Sequence, residues 1–101
     1  MATEEHKVRG SGDAITRKFE VCNQYGIHAR PAALLVKTAS GFRAEITIEK
    51  DDVRVSAKSI MGLLTMEGHQ GAVLRITARG EDAEAALDAI GELFAKKFYE
   101  D

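Results

Sequence analysis

The chain has 101 residues, of which 45% are hydrophobic and 30% charged, with a formal net charge of −2; that length suits one domain and that balance a globular protein. An overall negative charge argues against a nucleic-acid partner held by phosphate neutralisation, which requires a basic face. No apolar run approaches the roughly 20 residues that cross a bilayer, and the lone Cys22 can complete neither an internal disulfide nor a metal site.

Residues 1–13 are polar, with two glycines and no apolar periodicity. They lack the apolar stretch of a secretory signal, read as a disordered tail or an expression remnant, and leave residues 14–101 as the single domain. A cytoplasmic setting is expected. Ile15, Phe19 and Val21 fall at even spacing and predict a strand over 15–22, its alternation broken at Arg17. Turn chemistry follows over 23–26. Within residues 29–40, Ala32, Leu35, Val36 and Ala39 make one helical stripe that stops before Gly41. Phe42, Ala44, Ile46 and Ile48 alternate as a second strand. Lys50, Asp51 and Asp52 form a hairpin turn, and Val53, Val55 and Ala57 form the return strand.

Ser59 is a good cap for a short helix over 59–66. Gly68 and Gly71 bracket a loop, residues 73–78 form the last strand, and Asp82 caps a final helix that turns Ala83, Leu87, Ile90, Phe94 and Phe98 to the core. The order β-α-β-β-α-β-α predicts an α+β fold, a two-layer sandwich with a mostly antiparallel four-stranded sheet covered on one face by helices.

The chemistry concentrates at Gly26-Ile27-His28-Ala29-Arg30-Pro31-Ala32-Ala33. A histidine stands at a turn just before a helix, and Pro31 sits in the first helical turn, where a missing N–H loses nothing. His28 therefore faces free N–H groups and the positive end of the helix dipole, which disfavours a further positive charge and leaves a nucleophilic ring nitrogen. The same N–H groups can receive the oxygens of an attached phosphoryl group, and Arg30 adds a planar cation suited to phosphate. The dipole contributes only about 0.3–1 kcal/mol at an exposed site, enough to tune a reversible carrier without trapping its cargo. A lone loop histidine is ordinarily just solvated; its setting among Gly26, Arg30 and Pro31 distinguishes this one.

That stretch resembles the active-site signature of the HPr family, the histidine-containing phosphocarriers of the bacterial phosphoenolpyruvate-dependent sugar phosphotransferase system. Lys58-Ser59-Ile60-Met61-Gly62 is similar to the family's regulatory-serine segment, and Gln70-Gly71-Ala72 before an apolar strand fits as well. The likeness runs from about residue 15 to 98. It implies an open-faced β-sandwich with three helices on one side of the sheet, and a carrier that needs no cofactor. It implies that His28 accepts phosphate at Nδ1 from phospho-enzyme I and donates it to enzyme IIA proteins, that Arg30 contacts the phosphate, and that Ser59 is the target of an HPr kinase/phosphorylase. It also implies a docking surface on the first two helices, here Ala29, Leu34, Lys37, Ile60, Met61 and Leu64. Two departures stand out: the tail before residue 14, and Glu67, where many members have glycine.

His6 and His69 read as solvated side chains, and with His28 they show no metal-ligand spacing. Cys22 reads as a small packing residue. The run Ile60-Met61-Gly62-Leu63-Leu64 is too dense to be all core on so short a helix, so part of it should be exposed for a partner. Glu81, Asp82 and Glu84 are dipole partners and caps. A regulatory binding module acting through Ser59 and a small hydrolase using His28 covalently are the alternatives. No second acid–base group can be placed beside His28 from sequence, which weighs against hydrolysis. A monomer is the simplest assembly.

Overall fold

In the computed structural model, residues 5–8 and 14–100 are described. The strands are β1 (Glu5–Val8), β2 (Ala14–Glu20), β3 (Glu45–Lys50), β4 (Val53–Ser56) and β5 (Val73–Arg79); the helices are α1 (Ala29–Ser40), α2 (Ile60–Thr65) and α3 (Ala83–Ala95), followed by a 3-10 turn at Lys97–Tyr99. All strand pairs are antiparallel, in the order β1-β2-β5-β3-β4. The four expected strands and three helices are present as an open-faced sandwich. A fifth strand, β1, lies outside β2, with Glu5 opposite Arg17 and Val8 opposite Ala14. The expectation of an unstructured tail is thus corrected for these four residues, while the rest of 1–13 lies outside the described residues. Side-chain periodicity does not report such an edge strand, because its pairing is made by backbone groups.

Register brings the apolar rows together. Ile15 faces Ala78 and Phe19 faces Leu74 across β2 and β5, while Ile46 and Ile48 face Ala78 and Ile76 across β3 and β5. These side chains are buried beneath the helices, which contribute Ala32, Leu35 and Ala39 from α1, Leu63 from α2, and Leu87, Ile90 and Phe94 from α3. Phe19 stacks on Phe94 with ring centroids 5.1 Å apart. Arg17, the break in the alternation, points to this same covered face. Its guanidinium reaches Asp88 on α3 at 2.7 Å, so the stem is covered and the charge is paired at the rim. On the other face, Thr16 and Thr77 share a hydrogen bond of 2.8 Å between paired strands.

Asp82 holds the N-cap position of α3, where its carbonyl accepts from Ala86 N–H. Its carboxylate makes no cap, which corrects that part of the expectation. It accepts instead from the N–H groups of Arg43 and Ala44, each at 2.8 Å, and so ties the helix start to the segment entering β3. The bond from Arg43 is the chief reason its carboxyl is held below the usual range, against partial desolvation and with help from Ala44, its own N–H and the Lys58 charge.

The end of α3 departs further from the helical pattern. Phe98 is fully buried, as its spacing from Phe94 suggests, but it enters the core from beyond the helix. Lys97, Phe98 and Tyr99 all have left-handed backbone, with φ of 52°, 54° and 60°. Such residues cost about 1–2 kcal/mol each. Burial of the Phe98 ring, worth roughly 1.5–3 kcal/mol, and its edge contact with Phe94 at 5.0 Å offset part of this. The chain reverses here, and residue 100 is returned towards the start of α1. Among the described residues, no helix is long and apolar enough to cross a membrane.

Candidate functional site

The site is assembled from the turn before α1, the loop after α2 and the last described residue. Gly26 has φ +66°, and a Cβ there would lie 2.3 Å from the carbonyl oxygen of Gly68, so both backbone conformation and space require glycine. Ile27 N–H donates to that same carbonyl at 2.7 Å, and its side chain is buried. The residue before His28 is thereby anchored, and the histidine follows on a rigid base.

His28 is the N-cap residue of α1, with extended backbone (φ −92°, ψ −165°) and a carbonyl that accepts from Ala32 N–H at 2.9 Å. Its side chain does not cap the helix. The ring is therefore free to stand out beside the first-turn N–H groups, which have no intrahelical acceptor. Its side chain retains 42% of its surface, and the ring of exposed Tyr25 meets it edge-on at 6.4 Å.

The sequence reading missed the group that orients this ring. Glu100 places its carboxylate at Nε2, with Oε2 at 3.0 Å and Oε1 at 3.2 Å. Asn23, fully buried in the preceding turn, donates from Nδ2 to Glu100 Oε1 at 3.0 Å and to the carbonyl of Gly26 at 2.7 Å. One amide thus couples the turn to the chain end. Both partners of Nδ2 are acceptors, so the amide orientation follows from the network. Burial raises the Glu100 pKa, but the hydrogen bonds from Asn23 and His28 and the charges of His28 and Arg30 outweigh it, and the carboxyl lies below its ordinary value. An ionised carboxylate only accepts. The proton in this contact belongs to Nε2, and in the neutral form of the ring the lone pair then lies on Nδ1.

Arg30 is exposed in the first turn of α1, and its charge is felt at Glu100. Ser59 is the N-cap of α2, its hydroxyl accepting from Gly62 N–H at 3.0 Å. Leu63 is buried, while Ile60 (42%), Met61 (71%) and Leu64 (37%) are exposed, so the apolar run does divide between core and surface. Ala29 and Lys37 are exposed on α1, and Leu34 is half-buried against the core. His69 is exposed, with Nδ1 3.2 Å from the carbonyl of Glu67, and half-buried Cys22 lies 3.5 Å from the carbonyl of Glu20. Among the described residues, no three His, Cys, Asp or Glu side chains could hold a metal ion.

Glu100 and Asn23 gave little warning in the sequence. Asn23 reads as turn chemistry, and a glutamate next to the end of the chain has no periodicity to mark it.

Comparison with known proteins places the chain in a family. The family profile described as "PTS HPr component phosphorylation site" matches residues 15–96. The phosphocarrier protein HPr of Treponema pallidum is 45% identical over 87 residues, covering 86% of this chain and 99% of the relative. The phosphocarrier protein NPr of Shewanella violacea is 44% identical over 86 residues, covering 85% and 94%. The crystal structure of HPr-C-His from Thermoanaerobacter tengcongensis superposes with a TM-score of 0.82 at 45% identity, covering 85% of this chain and 97% of that one. A profile that matches most of this chain, with relatives this similar in sequence and structure, shows that the chain belongs to the HPr family of phosphocarrier proteins of the phosphotransferase system.

Proposed function

We propose that His28 is the phosphoryl acceptor, taking the group at Nδ1 from phospho-enzyme I and passing it to enzyme IIA proteins in the cytoplasm. The observation that carries this is the carboxylate of Glu100 on Nε2. With Nε2–H donated to Glu100, the Nδ1 lone pair attacks phosphorus as the donor's P–N bond breaks, and its electron pair returns to the donor ring. No proton need leave. The phosphorylated ring then carries positive charge, which the adjacent carboxylate stabilises, while first-turn N–H groups and Arg30 receive phosphoryl oxygens. Onward transfer reverses each step. Glu100 is engaged with Nε2, on the side of the ring away from the attached group, so it is not placed to activate water for hydrolysis.

Exposed Ile60, Met61 and Leu64, with Ala29, Leu34 and Lys37, form the surface on which both partners dock, and the carrier works as a monomer. Residues 14–101 are its single functional domain. Ser59 is the regulatory position, phosphorylated by an HPr kinase/phosphorylase. Incubation with phosphoenolpyruvate and enzyme I, followed by mass spectrometry, tests the central step. Acid-labile phosphate is expected on His28 and lost in His28→Ala, whereas undiminished labelling of that variant would overturn the assignment.

A further inference from the structure

Asn23 is fully buried, and its side chain spends its hydrogen bonds on the surroundings of His28. Its backbone is fixed on both sides. Before it, Val21 N–H donates to the Ala72 carbonyl and the Val21 carbonyl accepts from Gly71 N–H, each at 2.8 Å, while Gln70 Nε2 donates to the Cys22 carbonyl at 3.2 Å. After it, Gly26 N–H donates to the Asn23 carbonyl at 3.1 Å. An asparagine in a turn ordinarily uses its side-chain oxygen, accepting from a backbone N–H two residues on. Asn23 does the reverse. Its Oδ1 is buried with no hydrogen-bond partner among the described residues, while Nδ2 donates to the Gly26 carbonyl at 2.7 Å and to Glu100 Oε1 at 3.0 Å. A buried acceptor left unpaired is costly, so the turn alone does not account for this residue.

We infer that Asn23 is a positioning residue for phosphoryl transfer, holding the Glu100 carboxylate in the orientation that in turn holds the ring of His28; this rests on the reading of His28 as the acceptor. Glu100 arrives from the far end of the chain, where its N–H donates to the Lys97 carbonyl at 3.0 Å. Its carboxylate is free to rotate about its own stem unless something fixes it. Asn23 fixes Oε1, and Oε1 and Oε2 then lie 3.2 and 3.0 Å from Nε2. The other amide proton holds the carbonyl of Gly26, two residues before His28. Ring and carboxylate are thus referred to one buried amide. The residue type follows from this task. Aspartate has no proton to give when ionised and would set a second carboxylate against Oε1, and serine is too short to span both acceptors. A misplacement of about 1 Å can cost roughly 10²-fold in rate, so a side chain that touches neither phosphate nor partner still governs the transfer.

Single-turnover transfer from phosphorylated enzyme I to the full chain, with the carrier concentration varied, separates docking from chemistry. Asn23→Ala should lower the plateau rate about five- to tenfold. The half-saturating concentration should stay within about twofold, since a buried side chain is out of a partner's reach. Asn23→Ser keeps turn chemistry without reaching Glu100, and should show the same loss where alanine disturbs the turn. In a Glu100→Ala background, Asn23→Ala should cost nothing further, whereas a residue serving only the turn would cost the same in both backgrounds. The 15N shifts of the His28 ring give a reading that needs no phosphate. The neutral ring of the parent should carry its proton on Nε2, and Asn23→Ala should move it towards the mixture of both N–H forms of a free imidazole. An unchanged plateau rate, an equal loss in the Glu100→Ala background, or unchanged ring nitrogens would each overturn the inference while leaving His28 as the acceptor. Phosphate located on another residue would overturn the acceptor reading, and the positioning role with it.

Discussion

At the scale of single residues, one carboxylate orients the ring of His28. Glu100 holds Nε2–H at 3.0 Å and is itself held by Asn23. Glu100→Gln keeps the size but removes the charge that stabilises a phosphorylated, cationic ring. It also offers an amide that can donate to Nε2 and move the proton to Nδ1. Loss of a charge-assisted bond should slow phosphorylation by enzyme I roughly tenfold, measured as initial rates of phosphohistidine formation. An unchanged rate would mean that the helix N-terminus and Arg30 suffice. The same carboxyl links stability to acid. Its pKa is lower in the folded chain than its ordinary value of 4.5, so its contribution is complete above that value and is lost as pH falls through the lower folded value. Urea unfolding at about pH 7, 5 and 3 should show a steeper acid loss for the parent than for Glu100→Gln.

At the scale of elements, the short α2 and its flanks show local chemistry serving two ends. Ser59 caps the helix through Gly62 N–H, and a negative group at that position is favoured by the helix end. Ser59→Asp should therefore change stability by no more than about 0.5 kcal/mol. Its charge would sit beside exposed Ile60 and Met61 and oppose an acidic partner, so phosphorylation of His28 by enzyme I should slow about tenfold. Matching rates for Ser59→Asp, the kinase-treated protein and the parent would leave Ser59 as a cap alone. Glu67, the departure from glycine in the loop after α2, has φ +55°. That left-handed backbone costs about 1–2 kcal/mol for a residue with a Cβ, while glycine adds about 0.5–1 kcal/mol of chain entropy to the unfolded state. Glu67→Gly should stabilise the protein by about 0.5 kcal/mol, read as a rise of a few degrees in Tm.

At the scale of the whole molecule, the sheet is wider than the apolar pattern predicts. β1 pairs with β2 through four residues, each gaining backbone hydrogen bonds of about 0.5–1.5 kcal/mol net against an ordering cost of about 1–2 kcal/mol. The balance is close to zero. Deleting residues 1–13 should change unfolding free energy by less than about 2 kcal/mol and leave the rate of His28 phosphorylation within about twofold of the parent. A larger loss of either would make β1 part of the working fold. The deletion also bares the edge of β2, an open row of donors and acceptors that favours association between chains. Sedimentation at rising concentration should show more self-association than in the parent.

Most of the frame was legible in the sequence because it rests on local rules. Ile46 and Ile48 alternate because a strand presents every second side chain to one face. Ala32, Leu35 and Ala39 recur as a helix requires, and His28 stands before Pro31 in a first turn that spares its N–H. What remained hidden was decided by backbone pairing and by contacts between residues far apart in the chain. β1 has no apolar rhythm and pairs by its peptide groups. Asp82 keeps the cap position but gives its carboxylate to Arg43 and Ala44. The pairing of Glu100 with His28 required Phe98 to anchor in the core and the chain to reverse through three left-handed residues. Left-handed backbone is disfavoured residue by residue, so no local propensity announces it; only the packing of Phe98 and the network of Asn23, Glu100 and His28 compensate for it, and those contacts exist only in the folded chain.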